Sequence, residues 1–212
     1  GSRIRLNFQV PSQYEDEELA FVSLMDSLYI PARPEGENYP DAVINLIYGG
    51  LLSSLNAAGA QAKVYKRYLL KKIIDRLSKD NSAKTLSIEY MPYIMNFLGI
   101  IYLSYAFDKS DGRDFKIVKS LFDTAIKHQD LITSPIHLGC IYNHLGQLYD
   151  CATRYMDKNP AAYFKGAIEY YRLAQKYLSK YTYPYDYGYI SYKLSKLFFN
   201  YCLLYTSPSP RD

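Results

Sequence analysis

Tryptophan is absent from this 212-residue chain, and cysteine and histidine occur three times each. Cys140, Cys151 and Cys202 are too few, and odd in number, for a disulfide framework, so reduced thiols and a cytoplasmic setting are expected. No charged-then-apolar leader is visible at the N-terminus. Charge of one sign is also lacking: 25 Lys and Arg against 21 Asp and Glu leave a net +4, too little to make nucleic acid the default partner. There is no clean apolar run of membrane length. The longest uncharged stretch, between Glu89 and Asp108, carries Pro92, Asn96, Gly99 and Ser104 at helical periodicity, which predicts a buried helix rather than a span. A phosphate-binding glycine loop, a serine nucleophile elbow and a paired metal-binding histidine motif are missing as well, and acids such as Asp150 and Glu169 are scattered. The expectation is a non-enzymatic chain without a cofactor.

What the chain does have is tyrosine, 25 residues of it, within an otherwise average 49% hydrophobic and 22% charged composition. So much tyrosine suits half-buried positions, where a ring packs and its hydroxyl reaches water or backbone. The stronger signal is a repeat. Segments 93–102, 140–149 and 189–198 align, each with Leu, then a small residue, then an aromatic three positions on; the small residues Gly99, Gly146 and Ser195 are spaced by 47 and 49. Tyr48-Gly49 with Leu52 is a fainter copy. Glycine inside a helix costs about 1 kcal/mol relative to alanine, so recurrence at one register points to close helix–helix approach. After each copy comes a second apolar stripe: Val118, Phe122 and Ala125, then Ala167, Tyr171, Ala174 and Leu178. Breaker-rich loops separate the stripes. The periodicity predicts an all-α chain with helices near 16–29, 40–57, 61–79, 84–107, 113–130, 135–156, 161–180 and 185–201. Residues 3–10 read as a short extended arm, and no sheet is expected.

Tyr142, Leu145, Gly146 and Tyr149, followed by Ala167, Tyr171 and Ala174, resemble the tetratricopeptide (TPR) signature; Met95, Leu98, Gly99 and Tyr102 with Val118, Phe122 and Ala125 match nearly as well. The spacing is longer than the 34-residue form and looks like the long-helix members used in bacterial regulators and signalling proteins. The resemblance implies a TPR-like α-solenoid of antiparallel helix pairs in a right-handed superhelix, over 39–201, after an N-terminal segment 1–38 with one helix. Its first helices would line a concave face for a protein or extended peptide. Carried over by alignment to Gly99 and Gly146, the inner wall holds Tyr93, Asn96, Ile100 and Leu103, then Cys140, Asn143, Gln147 and Asp150. Asn96 and Asn143 share a register, and their amides are suited to clamping an extended backbone.

Other constellations have plainer readings. His137, Cys140, His144 and Cys151 share a helical face, but only Cys140 and His144 lie one turn apart, so a polar face is favoured over a metal centre. In the basic helix 63–79, Val64, Leu69, Leu70, Ile73, Ile74 and Leu77 supply a core stripe, and the Lys and Arg form its solvated side. Nucleic-acid binding there is a minor reading. The tyrosines of 181–187 are expected to pack under a turn. Residues 202–212 resemble a translated sequencing adapter and are set aside as a non-native tail. The expected function is a protein-interaction scaffold, with a ligand-sensing segment of a larger bacterial regulator as the competing reading.

Overall fold

A computed structural model describes residues 3–7, 27–54, 60–79, 88–106, 112–155 and 159–206. Among these described residues, seven helices pack against one another beside a two-stranded sheet. Strands β1 (Arg3–Asn7) and β2 (Ser27–Pro31) pair antiparallel, with Arg5 opposite Tyr29. The helices are α1 (Asp41–Ser54), α2 (Ala60–Lys79), α3 (Met91–Ala106), α4 (Gly112–Lys127), α5 (Pro135–Tyr155), α6 (Pro160–Tyr177) and α7 (Pro184–Thr206). Short 3-10 turns at Ile88–Tyr90 and Gln129–Leu131 precede α3 and follow α4.

The sequence dictates several of these boundaries. Pro135, Pro160 and Pro184 open α5, α6 and α7, where the missing N–H costs nothing and the fixed φ suits the first turn. Asn159 caps α6 from a left-handed conformation at φ 59°, its side chain accepting from the Ala162 N–H at 3.4 Å.

Contacts across the helices fix their directions. Along α5, Gly139, Gly146 and Tyr149 meet Leu178, Tyr171 and Gly166 of α6 in reverse order, so the two helices are antiparallel. Helix α7 runs antiparallel to α6 in turn, through Gln175 with Ser191 and Phe164 with Phe198. Helices α3 and α5 run in the same direction: Tyr93 meets His137, and Asn96 meets His144. The two stripes of small and aromatic residues are buried alike, with Val118, Phe122, Ala125, Ala167, Tyr171 and Ala174 all at 0% exposure. The glycines serve the predicted close approach. A Cβ added at Gly146 would fall 2.6 Å from Tyr171 Cδ1, and one at Gly99 would collide with the Phe122 ring. Gly49 differs, facing Ile101 of α3 rather than the second helix of its own pair.

Several expectations need correction. The helix predicted over 16–29 is a strand where it is described: Leu28 and Ile30 are buried in the core beside α1 and α3, while Tyr29 alternates to the other side. A sheet therefore exists, joining the extended arm at 3–7 to a segment too short for alternation to stand out; residues 8–26 lie outside the described set. Val64 is not core but 69% exposed, leaving Leu70, Ile73, Ile74 and Leu77 as the buried stripe of α2. In the 181–187 turn, Tyr183 and Tyr187 pack partly, whereas Tyr181 and Tyr185 stand in solvent. Helix α7 continues to Thr206, past the predicted end at 201; residues 207–212 lie outside the described set. No described helix is long and apolar enough to cross a membrane.

Candidate functional site

The predicted inner wall divides by what each side chain touches. Tyr93, in the first turn of α3, is buried, its ring 5.2 Å from Tyr29 and 5.0 Å from His137. The Thr133 backbone N–H donates to its hydroxyl at 3.2 Å. Tyr29 also meets His137 edge-on at 4.6 Å. An extended strand of the chain itself thus lies over the N-terminal turns of α3 and α5. Burial raises the Tyr29 hydroxyl above its ordinary pKa, and its hydrogen bond with Arg5 pulls the other way. Cys140 is buried next to this group.

Ile100 and Leu103 are core residues, Ile100 in the cluster shared with α1 and α2, Leu103 with Val118, Phe122 and Leu145. Asn96 Oδ1 lies 2.9 Å from His144 Nδ1, and the His144 ring stacks on Phe122 at 5.8 Å. Asn96 therefore ties α3 to α5.

Asn143, at the same register one repeat later, has a different fate. It is 0% exposed, and neither its amide oxygen nor its nitrogen finds a hydrogen-bond partner among the described residues. One helical turn on, Gln147 is half-buried. Asp150 completes the row: it is buried, Arg154 Nε lies 3.4 Å from its Oδ1, and that oxygen accepts no hydrogen bond. Burial lifts the Asp150 carboxyl above the usual carboxylate range, against the pull of Arg154, Lys193 and Lys196. The neighbouring Tyr171 hydroxyl is buried and unbonded too, and desolvation raises its pKa. Cys151 beside it is pushed up to about 12, chiefly by burial, which leaves the thiol protonated and unreactive.

Seven of the eight wall residues are thus buried, with Gln147 the exception. Sequence reasoning missed Tyr29 and the Tyr171 hydroxyl, and placed His144 on a polar face without foreseeing its bond to Asn96. His144 carried a signal, standing next to Asn143 and one turn from Cys140; Tyr29 carried none. Among the described residues, no group of three His, Cys, Asp or Glu could hold a metal ion. His137 and His144 instead face aromatic and amide partners on different neighbours.

Some basic groups of α2 contact the rest of the molecule, while Lys71, Lys72 and Arg76 are exposed. Lys66 donates to the Ser53 carbonyl at 3.1 Å, Lys71 pairs with Asp75 at 2.5 Å, and Arg67 lies over the Tyr105 ring. No family model matches this chain, and no curated protein or solved structure matches it.

Proposed function

We propose that this chain is a non-enzymatic, cytoplasmic protein-interaction scaffold: a TPR-like, right-handed array of antiparallel helix pairs that takes an extended segment of a protein along its first helices. One observation carries the reading. Asn143 keeps a donor and an acceptor unspent in the row that Gln147 and Asp150 continue, while its equivalent Asn96 is committed to His144. A buried amide without partners costs about 1–3 kcal/mol, a cost that a ligand backbone bonded to it would offset. On this reading a ligand enters beside α7, which leans on α6 through Phe164 and Gln175. Helix α7 also buries Ile190 and Leu197 in a cluster with Ile136 and Cys140 of α5, so binding there displaces some of that packing. The packing of Tyr29 against Tyr93 and His137 supports the same reading, since there the first-helix wall already accepts an extended strand.

The test is selection of a random-peptide library against the full 212-residue chain, followed by affinity measurements on variants. Asn143→Ala is expected to weaken the selected peptides about tenfold, or about 1.4 kcal/mol, without lowering the melting temperature. Peptides that ignore both Asn143→Ala and Gln147→Ala would place the binding surface elsewhere.

A further inference from the structure

We propose that the outer face of α2, along Tyr65, Tyr68, Lys72 and Arg76, binds single-stranded nucleic acid, stacking bases on the two tyrosine rings and pairing backbone phosphates with the two cations. The inference goes beyond the peptide wall and uses a helix that carries none of that wall's residues.

The modest charge of the whole chain conceals an uneven distribution. Helix α2 holds seven Lys and Arg against Asp75 alone, a net +6 within 20 residues. The whole chain is +4, so everything outside α2 sums to −2. Basic charge gathered on one helix is the electrostatic footprint of a polyanionic partner. Part of it is spent inside the molecule: Lys66 on the Ser53 carbonyl, Arg67 over the Tyr105 ring and Lys71 on Asp75. Lys72 and Arg76 are exposed, and among the described residues neither pairs with an acid.

Periodicity sets those two cations in line with two rings. Tyr65, Tyr68, Lys72 and Arg76 stand at i, i+3, i+7 and i+11, one stripe of the helix about 16 Å long. Tyr65 is 63% and Tyr68 55% exposed, with Val64 beside them at 69%, so they form a patch rather than a scattered apolar residue. Lys72 Nζ sits 5.4 Å from the centre of the Tyr68 ring, which places cation and aromatic face side by side. Helix α2 meets α1 and α3 through its buried Leu70, Ile73, Ile74 and Leu77. The outer stripe lies opposite both neighbours, so a further helix stacked before α1 or after α7 would pack elsewhere. The mixture of groups selects the partner. Phosphates answer the cations, and every base has a π-face for a tyrosine ring. An extended single strand offers both at once, whereas a duplex keeps its bases stacked on one another. An acidic polypeptide would satisfy Lys72 and Arg76 but give the rings nothing to stack on.

The probe is a fluorescein-labelled oligothymidylate of about 15 nucleotides, near the upper end of single-strand site sizes, titrated with the full chain and followed by anisotropy. Saturable binding is expected at low salt, with log affinity falling linearly in log salt by about 0.7 per phosphate contact. Lys72→Glu with Arg76→Glu should weaken it at least about tenfold and flatten that slope. Tyr65→Ala with Tyr68→Ala should also weaken it at least about tenfold, but leave the slope unchanged, since stacking releases no counter-ions. All four side chains are exposed, so the variants should melt as the unmodified chain does. Lys116→Glu, the same reversal of charge on the exposed side of α4, should leave binding unchanged. Absence of saturable binding at low salt would overturn the proposal. So would binding indifferent to the two tyrosines, which would report counter-ion attraction alone. Equal binding of labelled poly-glutamate, with the same dependence on the tyrosines, would give the face to an acidic polypeptide instead. Asn143→Ala should change none of these results, so the extended-peptide reading stands or falls separately.

Discussion

Helices α5 and α7 occupy the same register in the chain and differ in what covers them. Helix α5 is enclosed: α6 lies along its glycines, α4 reaches its Tyr149 through Phe115, and α3 reaches its His144 through Asn96. Helix α7 repeats the spacing of α5 but carries Tyr185, Tyr192 and Phe199 to solvent, at 66%, 59% and 64% exposure. The difference shows that the repeat in the sequence specifies a helix and its seam, while the neighbour decides whether that seam is core or surface. Among the described residues, the same amino-acid pattern is covered in one place and exposed in the other.

The largest break in that comparison should come from the aromatic at each position. Tyr171→Ala is expected to cost about 3–5 kcal/mol in urea denaturation, because a fully buried ring leaves a cavity against Gly146. Phe198→Ala should cost only about 1 kcal/mol, since the ring is already half in water. Equal losses would mean that α7 is packed as tightly as α5.

The next effect separates the two asparagines. Asn96→Ala removes the partner of His144 Nδ1 and should destabilise by about 1–3 kcal/mol. Asn143→Leu, nearly the same shape, replaces an amide that bonds nothing, and should leave stability unchanged or raise it by about 1 kcal/mol. A loss at Asn143 comparable to that at Asn96 would show a partner holding it.

A smaller effect belongs to Asp150. Because burial raises its folded pKa, the unfolded chain ionises first, and stability falls as pH climbs from about 4 through the folded value before levelling off. Asp150→Asn should remove this share of the decline and raise the neutral-pH melting temperature by roughly a few degrees. A variant with an unaltered melt-against-pH curve would place the Asp150 carboxylate in water.

Much of the helical architecture was legible in the sequence because glycine in a helix is costly enough to mean something when it recurs. Gly99 and Gly146, read with Phe122 and Tyr171, located two close contacts before any coordinate. The strand at 27–31 was not legible, since five residues cannot display a period and the partner strand lies more than twenty residues upstream. The fates of Asn96 and Asn143 were equally hidden. Each depends on the residue one repeat later: His144 offers a ring nitrogen to Asn96, whereas Lys193, its counterpart in α7, holds its ammonium over the Tyr189 ring at 5.1 Å. Register alone could not tell a lysine that turns away from a histidine that bonds. The wall expected to be open over Tyr93 and Cys140 is filled by Tyr29, from a part of the chain with no helical pattern to reveal it.

The most direct measurement is the pair of melting temperatures for Gly146→Ala and Gly188→Ala. Alanine improves either helix by about 1 kcal/mol in propensity, so only the space around each glycine can separate them. At Gly146 the methyl group would stand 2.6 Å from the Tyr171 ring, and overpacking of about 1–3 kcal/mol should outweigh propensity and lower the melt. At Gly188 nothing lies within 4 Å, and the melt should rise. Shifts of opposite sign are the expected result; a rise in both, or a fall in both, would contradict the account of one seam closed and its repeat left open.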